Sequence, residues 1–226
     1  PRSFSAQVKQ VRSEAPAGFA VLELRPYVLA GDLDPEALRR FGEGTVLWAD
    51  QRLRRQFFVD APERSIAIWL FQDDRSYRKH AKAIWDETPS TPYGYSCSTH
   101  DHLIMNIATG GGTLVHELVH PLVRAHFPAC PAWLNEGLGS LYEQCQDHEG
   151  KIWGLPNWRL SALQKALRAR TAPKLQTVLE TTESAFYGEG SGMHYAVARY
   201  LCLYLQEKGQ LVDLVRRPRA FFAVGD

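Results

Sequence analysis

Residues 65–71 read S-I-A-I-W-L-F, apolar at every position after the first. A run without a polar face suits a strand covered on both sides. Its surroundings alternate in the same style. Residues 19–28 read as a strand. Asp34-Pro35 is an N-cap followed by proline at the first helical position, and an amphipathic run extends from there to about Arg55. Gly42 and Gly44 interrupt that run, at about 1 kcal/mol each in a helix interior. Residues 73–86 read as another helix and 102–108 as a third strand. The second half is helical: 113–127, 132–146, 158–168, 193–208 with Gly209 as its stop, and 211–217. The polar, glycine-containing stretches 90–101 and 181–192 read as loops bordering a site. Strands first and helices later predict an α+β fold rather than a doubly wound sheet.

With 226 residues the chain can bury a core without staples. It is 45% hydrophobic, which excludes a disordered chain. Lys plus Arg is 26 against 25 for Asp plus Glu, so no net field points to nucleic acid. No apolar run approaches the ~18 residues of a membrane span. Residues 1–10 are polar and show no signal peptide. A start at Pro1 without Met is compatible with an export signal already removed, and so with a periplasmic or secreted protein. Cys97, Cys130, Cys145 and Cys202 form no C-x-x-C pair, which disfavours a thiolate zinc knuckle. They permit two disulfides or four buried thiols. A Cys130–Cys145 bridge is disfavoured, because a helix between them would hold them roughly 20 Å apart.

Residues 110–120 read G-G-G-T-L-V-H-E-L-V-H. His116 and His120 lie four apart, one turn apart on one face of a helix, where two imidazoles can share one zinc ion. Glu117 is placed to reach a water on that ion. Thr113 is the expected N-cap, and Leu114, Leu118 and Leu122 supply the apolar stripe. Pro121 removes a backbone donor within the helix and predicts a kink there.

Further on, residues 133–139 read W-L-N-E-G-L-G. H-E-x-x-H followed at this distance by W-L-N-E-G resembles the gluzincin zinc metallopeptidases of the thermolysin-like superfamily. The likeness is to the M1 aminopeptidases and to small peptidase-like proteins, and it covers roughly residues 100–210. It implies a zincin-like α+β fold in a single domain of two lobes, about 1–128 and 129–226. The first is a small twisted sheet with helices and the second is helical, with the zinc cleft between them. It implies one Zn²⁺ held by His116, His120 and Glu136, with water in the fourth position. Glu117 is then the general base that activates this water for peptide hydrolysis. Glu143, seven positions after Glu136, matches a family glutamate that hydrogen-bonds a zinc-binding histidine. Tyr195 matches a family tyrosine that stabilises the oxyanion, a role open equally to the adjacent His194.

The likeness is incomplete. M1 enzymes carry a G-x-M-E-N strand whose glutamate grips the substrate's amine. Here the corresponding strand, from Leu103 to Ala108, offers only Met105-Asn106 and no glutamate. Zinc hydrolysis therefore carries over and amino-terminal specificity does not. The expected activity is that of an endopeptidase, with an extended peptide or protein substrate adding to this strand at the sheet edge. The chain is expected to act as a monomer. The alternative is a non-catalytic zinc-binding or interaction module with a zincin shell, against which the presence of Glu117 argues. His100 and His102 read as an exposed loop able to bind metal. Asn157 and Arg159 are open to a site or a structural role, and Arg52, Arg54 and Arg55 read as a solvated helix face.

Overall fold

A computed structural model describes residues 3–58, 65–97 and 102–217. The protein is α+β, with a five-stranded mixed sheet, a separate two-stranded hairpin and many helices. The chain gathers into two compact units: Pro1–Gln51 with Asp60–Leu118, and Arg52–Val59 with Val119–Asp226. The division falls inside a helix rather than near residue 128, and 52–59 belongs with the C-terminal unit. Among the described residues, no helix is long and apolar enough to cross a membrane.

The N-terminal unit begins with helix α1 (Phe4–Glu14), capped by the Ser3 hydroxyl on the Ala6 amide. The single strand expected over 19–28 is a hairpin. Strands β1 (Ala20–Leu24) and β2 (Tyr27–Gly31) run antiparallel on either side of Arg25-Pro26. Helix α2 (Pro35–Phe41) starts at Asp34, whose carboxylate accepts from the Ala37 amide at 2.9 Å. The two glycines then relax the helix into a π-helical stretch, Gly42–Leu47, before α3 (Trp48–Gln56). Gly42 packs closely there: a Cβ would stand 2.6 Å from Leu24 Cδ1 and 2.9 Å from Leu22 Cδ2, so those side chains would have to shift. Next come β3 (Ile66–Phe71), α4 (Asp74–Trp85), β4 (Gly94–Cys97), β5 (His102–Asn106) and a 3₁₀ turn (Ile107–Thr109).

The sheet order is β1-β2-β3-β5-β4, with β3 parallel to both of its neighbours. All six residues of β3 are buried, which is why its sequence lacks a polar face. Val28, Ala30, Ala67, Trp69, Phe71 and Ile104 pack with Val11 of α1 and Tyr77 of α4 on one side. On the other side α2 packs on β1 and β2, and the Tyr27 hydroxyl donates to Asp50 of α3 at 2.8 Å.

This order corrects the expectation of an edge strand from Leu103 to Ala108. β5 is interior, and β4 covers it in antiparallel register. Met105 and Asn106, expected to meet substrate, are buried. The Asn106 side chain is spent on the local turn, donating to Pro92 O at 2.8 Å and accepting from Ala108 N at 3.2 Å. β4 escaped the sequence reading because four residues, one of them Gly94, give too short a pattern to register.

Helix α5 (Gly111–His126) leads into the C-terminal unit. It starts two residues before Thr113, and the helix is unbroken across Pro121. α6 (Ala132–Tyr142) stops short of the expected 146, because residues 145–154 form a hairpin. Strands β6 (Cys145–His148) and β7 (Lys151–Gly154) flank Glu149 and Gly150, both at positive φ (54° and 74°), a two-residue type I′ turn. The rest is helical: α7 (Arg159–Arg168), α8 (Leu175–Glu180), α9 (Glu183–Phe186), α10 (Ser191–Glu207) and α11 (Leu211–Arg216). α10 is the hub, packing on α6, α7, α8, α9 and α11. Gly137 lets α10 close on α6, since a Cβ there would meet Cys202 Sγ at 2.7 Å. Gln206 clamps β7 to α10 with two bonds to the Gly154 backbone, at 2.9 and 3.0 Å. Arg52 is not simply solvated, because its Nε donates to Asp147 at 2.6 Å. All four cysteines are free thiols.

Candidate metal centre

α5 presents His116, Glu117 and His120 from consecutive turns, and their donor atoms all lie within 4.8 Å of one another. His116 is buried and Glu117 is half-buried. The His120 side chain is 11% exposed. Helical spacing alone puts the two imidazoles on one face.

α6 supplies the next piece. Glu136 is buried at 4% exposure, and its Oε1 stands 3.8 Å from His120 Nε2. That is too long for a hydrogen bond. It is near the ~3.4 Å that separates two ligands of one tetrahedral ion with bonds of about 2.1 Å. On the other side of the ring, His120 Nδ1 meets Asn135 Oδ1 at 3.1 Å. With Nδ1 donating to that amide oxygen, Nε2 carries the lone pair, the state in which an imidazole binds a metal. His120 and Glu136 thus bring an imidazole and a carboxylate to ligand spacing, and both donor types are common at catalytic zinc.

Tyr187 was not singled out in the sequence. Its hydroxyl donates to Glu136 Oε1 at 2.6 Å, holding the carboxylate toward His120. It follows α9 in a stretch that reads as a loop, and no periodic pattern marks it. Asn135 was visible inside W-L-N-E-G, but without a role.

Glu143 is gripped by Arg159, with Nη1 to Oε2 at 2.9 Å and Nη2 to Oε1 at 3.1 Å. Asn157 Nδ2 adds a bond to Oε2 at 3.1 Å. The ring partner expected of Glu143 is, at His120, Asn135. Tyr195 lies in the first turns of α10. Its ring is 5.3 Å from that of Phe186 and 6.4 Å from that of Tyr187, and the Arg159 guanidinium lies 5.6 Å over its face. His194 Nδ1 lies 3.1 Å from the Phe186 carbonyl oxygen. A carbonyl only accepts, so Nδ1 carries the proton, and in the neutral ring Nε2 offers a lone pair. His102 is not on an exposed loop: it opens β5 and is buried. His100 and Asp101 lie outside the described residues.

Tyr187→Phe removes the hydroxyl that orients Glu136. Loss of such a partner typically costs 10–100-fold in metal affinity. If the centre holds zinc, the expected result is binding weakened by roughly that factor in a competitive chelator titration, with the fold intact.

In comparisons with known proteins, no family model matches this sequence and no curated protein is significantly similar to it.

Proposed function

We propose that the protein is a zinc-dependent peptidase of the gluzincin type, with one ion held by His116, His120 and Glu136. The observation that carries this reading is the buried Glu136 carboxylate 3.8 Å from His120 Nε2, with Asn135 fixing the opposite ring nitrogen. Burying an ionised carboxylate costs free energy unless its charge is compensated, and its placement beside a metal-competent imidazole suits a shared cation.

Bound there, the ion supplies Lewis acidity toward water and toward a carbonyl oxygen. The chain's own residues do the rest. Glu117, half-buried on the same helix, takes a proton from the attacking water as its oxygen bonds to the peptide carbonyl carbon. As the C–N bond breaks, Glu117 returns that proton to the leaving nitrogen. The Tyr195 phenol donates to the developing oxyanion, while the Nδ1–H of the adjacent His194 is turned to the Phe186 carbonyl. Asn135 and Tyr187 hold the His120 ring and the Glu136 carboxylate in place.

Substrate is an extended peptide. The sheet edge beyond β5 is β4; Gly94, Tyr95, Ser96 and Cys97 themselves carry no carboxylate to pair with a terminal amine, and that of Glu87 already accepts from the Tyr95 hydroxyl. We therefore assign endopeptidase action.

The test is zinc content together with a peptide-library digest. Wild type should hold zinc and cleave N-acetylated and free peptides alike, and His120→Ala should lose both zinc and cleavage. Zinc bound without any cleavage would indicate a non-catalytic metal module. Release of single residues from free peptides alone would make it an aminopeptidase.

A further inference from the structure

The N-terminal unit contains a second cluster of metal-binding side chains. Glu87, Cys97 and His102 bring a carboxylate oxygen, a thiol sulfur and an imidazole nitrogen to within 4.8 Å of one another. We propose that these three residues form a separate transition-metal site, selective for a zinc-like divalent ion.

Five observations assemble it. Cys97 ends β4 and His102 opens β5, and the two are register partners in the antiparallel pair. Directly opposed residues project to the same face, so the thiol and the imidazole are neighbours by construction. Glu87 arrives from α4, where Asp86 at φ 58° turns the chain out of the helix. Its carboxylate is then held from outside: the hydroxyl of Tyr95, two residues before Cys97 on the same face of β4, donates to Oε2. The Trp85 ring lies against the His102 ring with centroids 4.9 Å apart, walling the cluster on the helix side. His102 is buried, and Glu87 and Cys97 are half-buried, leaving an approach for an ion.

The donor chemistry chooses the ion. A thiolate beside an imidazole suits Zn²⁺ or Co²⁺, while Ca²⁺ and Mg²⁺ require all-oxygen shells. Zinc ligands at 2.0–2.3 Å in a tetrahedral arrangement sit roughly 3.3–3.8 Å apart, so donors already within 4.8 Å close by side-chain adjustments of about an ångström. Cys97 binds as the thiolate and releases one proton.

This proposal does not depend on the peptidase reading, and its test keeps the two apart. Cobalt is titrated into metal-free protein, and the thiolate-to-cobalt charge-transfer absorption is recorded. The band should appear in wild type and in the His116→Ala/His120→Ala variant, because the proposed peptidase centre has no sulfur ligand. It should vanish in Cys97→Ser. No band in wild type at saturating cobalt, or a band surviving in Cys97→Ser, overturns the proposal.

A second measurement needs no variant. Zinc should slow alkylation of Cys97 by iodoacetamide, followed by peptide mass mapping, by roughly tenfold or more. The other thiols contribute little background. Burial pushes the Cys130 thiol up to about 12 and the Cys145 thiol up to about 11, and it raises that of Cys202 as well. Equal alkylation of Cys97 with and without zinc would make the cluster a free thiol beside a base, and the metal site would be wrong.

Discussion

Glu117→Gln should lower kcat for peptide hydrolysis by about 10²–10⁴-fold while leaving zinc content unchanged. The amide keeps the size of the carboxylate but cannot accept the proton of the attacking water. The ligand assignment supplies the second half of the expectation. If His116, His120 and Glu136 hold the ion, position 117 is not needed for its retention. The geometry makes this a discriminating experiment, because the Glu117 carboxylate also lies within 4.8 Å of both imidazole donors. Loss of zinc from Glu117→Gln would make Glu117 a ligand and remove the general base from the mechanism. Equal cleavage by the variant and wild type would assign the measured activity to another protein in the sample. Metal analysis and single-turnover peptide kinetics on the same preparation separate these outcomes.

Arg199→Ala should destabilise the protein by about 3–5 kcal/mol, a large share of the 5–15 kcal/mol typical of folded proteins. Arg199, in the middle of α10, is fully buried. Its Nε donates to Ser140 O at 2.9 Å, and Nη2 donates to Leu141 O at 3.3 Å and to Leu155 O. Ser140 and Leu141 belong to the last turn of α6, whose carbonyls have no partner within the helix. The guanidinium thus closes the C-terminal end of α6, where a cation is also favoured by the helix dipole. Burial lowers its pKa, but arginine stays charged at neutral pH. Removing it leaves two buried carbonyls and one part-buried carbonyl short of a donor, and a cavity the size of a long side chain. Arg199→Met fills most of the volume without the donors and should recover only part of the loss. Urea unfolding gives both values. Because α6 also carries Glu136, the alanine variant should bind zinc less tightly even where it remains folded.

Much of the local order was legible before any coordinates. Asp34-Pro35 and Asp73 start α2 and α4, since capping depends on neighbouring residues alone. Gly209, at φ 68°, follows the end of α10 for the same reason. The polar-free run of β3 announced a strand buried on both faces. The α+β character followed from the order of the segments. Elements with little internal pattern stayed hidden: α1 is mostly polar, β4 is four residues long, and α8 and α9 are only six and four. Only Cys145 and Gln146 of the β6–β7 hairpin were covered, as the end of a helix reaching residue 146, and the rest of the hairpin went unread, because its turn is set by the backbone of Glu149 and Gly150 rather than by a hydrophobic repeat.

The candidate centre divides along the same physical line. His116, Glu117 and His120 share a helix, and 3.6 residues per turn brings them together without help from the rest of the chain. Glu136 was suggested by resemblance, but its burial beside His120 depends on how α6 packs. That packing rests on distant groups: Gly137 against Cys202, and Arg199 on the end of α6. The Tyr187 bond to Glu136 spans 51 positions, and Arg159 meets Glu143 across 16, separations at which no local periodicity operates. Strand order is of the same kind. Alternation along β5 is identical whether the strand is interior or at an edge, so Met105 and Asn106 were read as facing substrate when β4 in fact covers their strand. The pairing of Cys97 with His102 arises from that same unforeseen neighbour, because register is a property of two strands and neither one alone contains it.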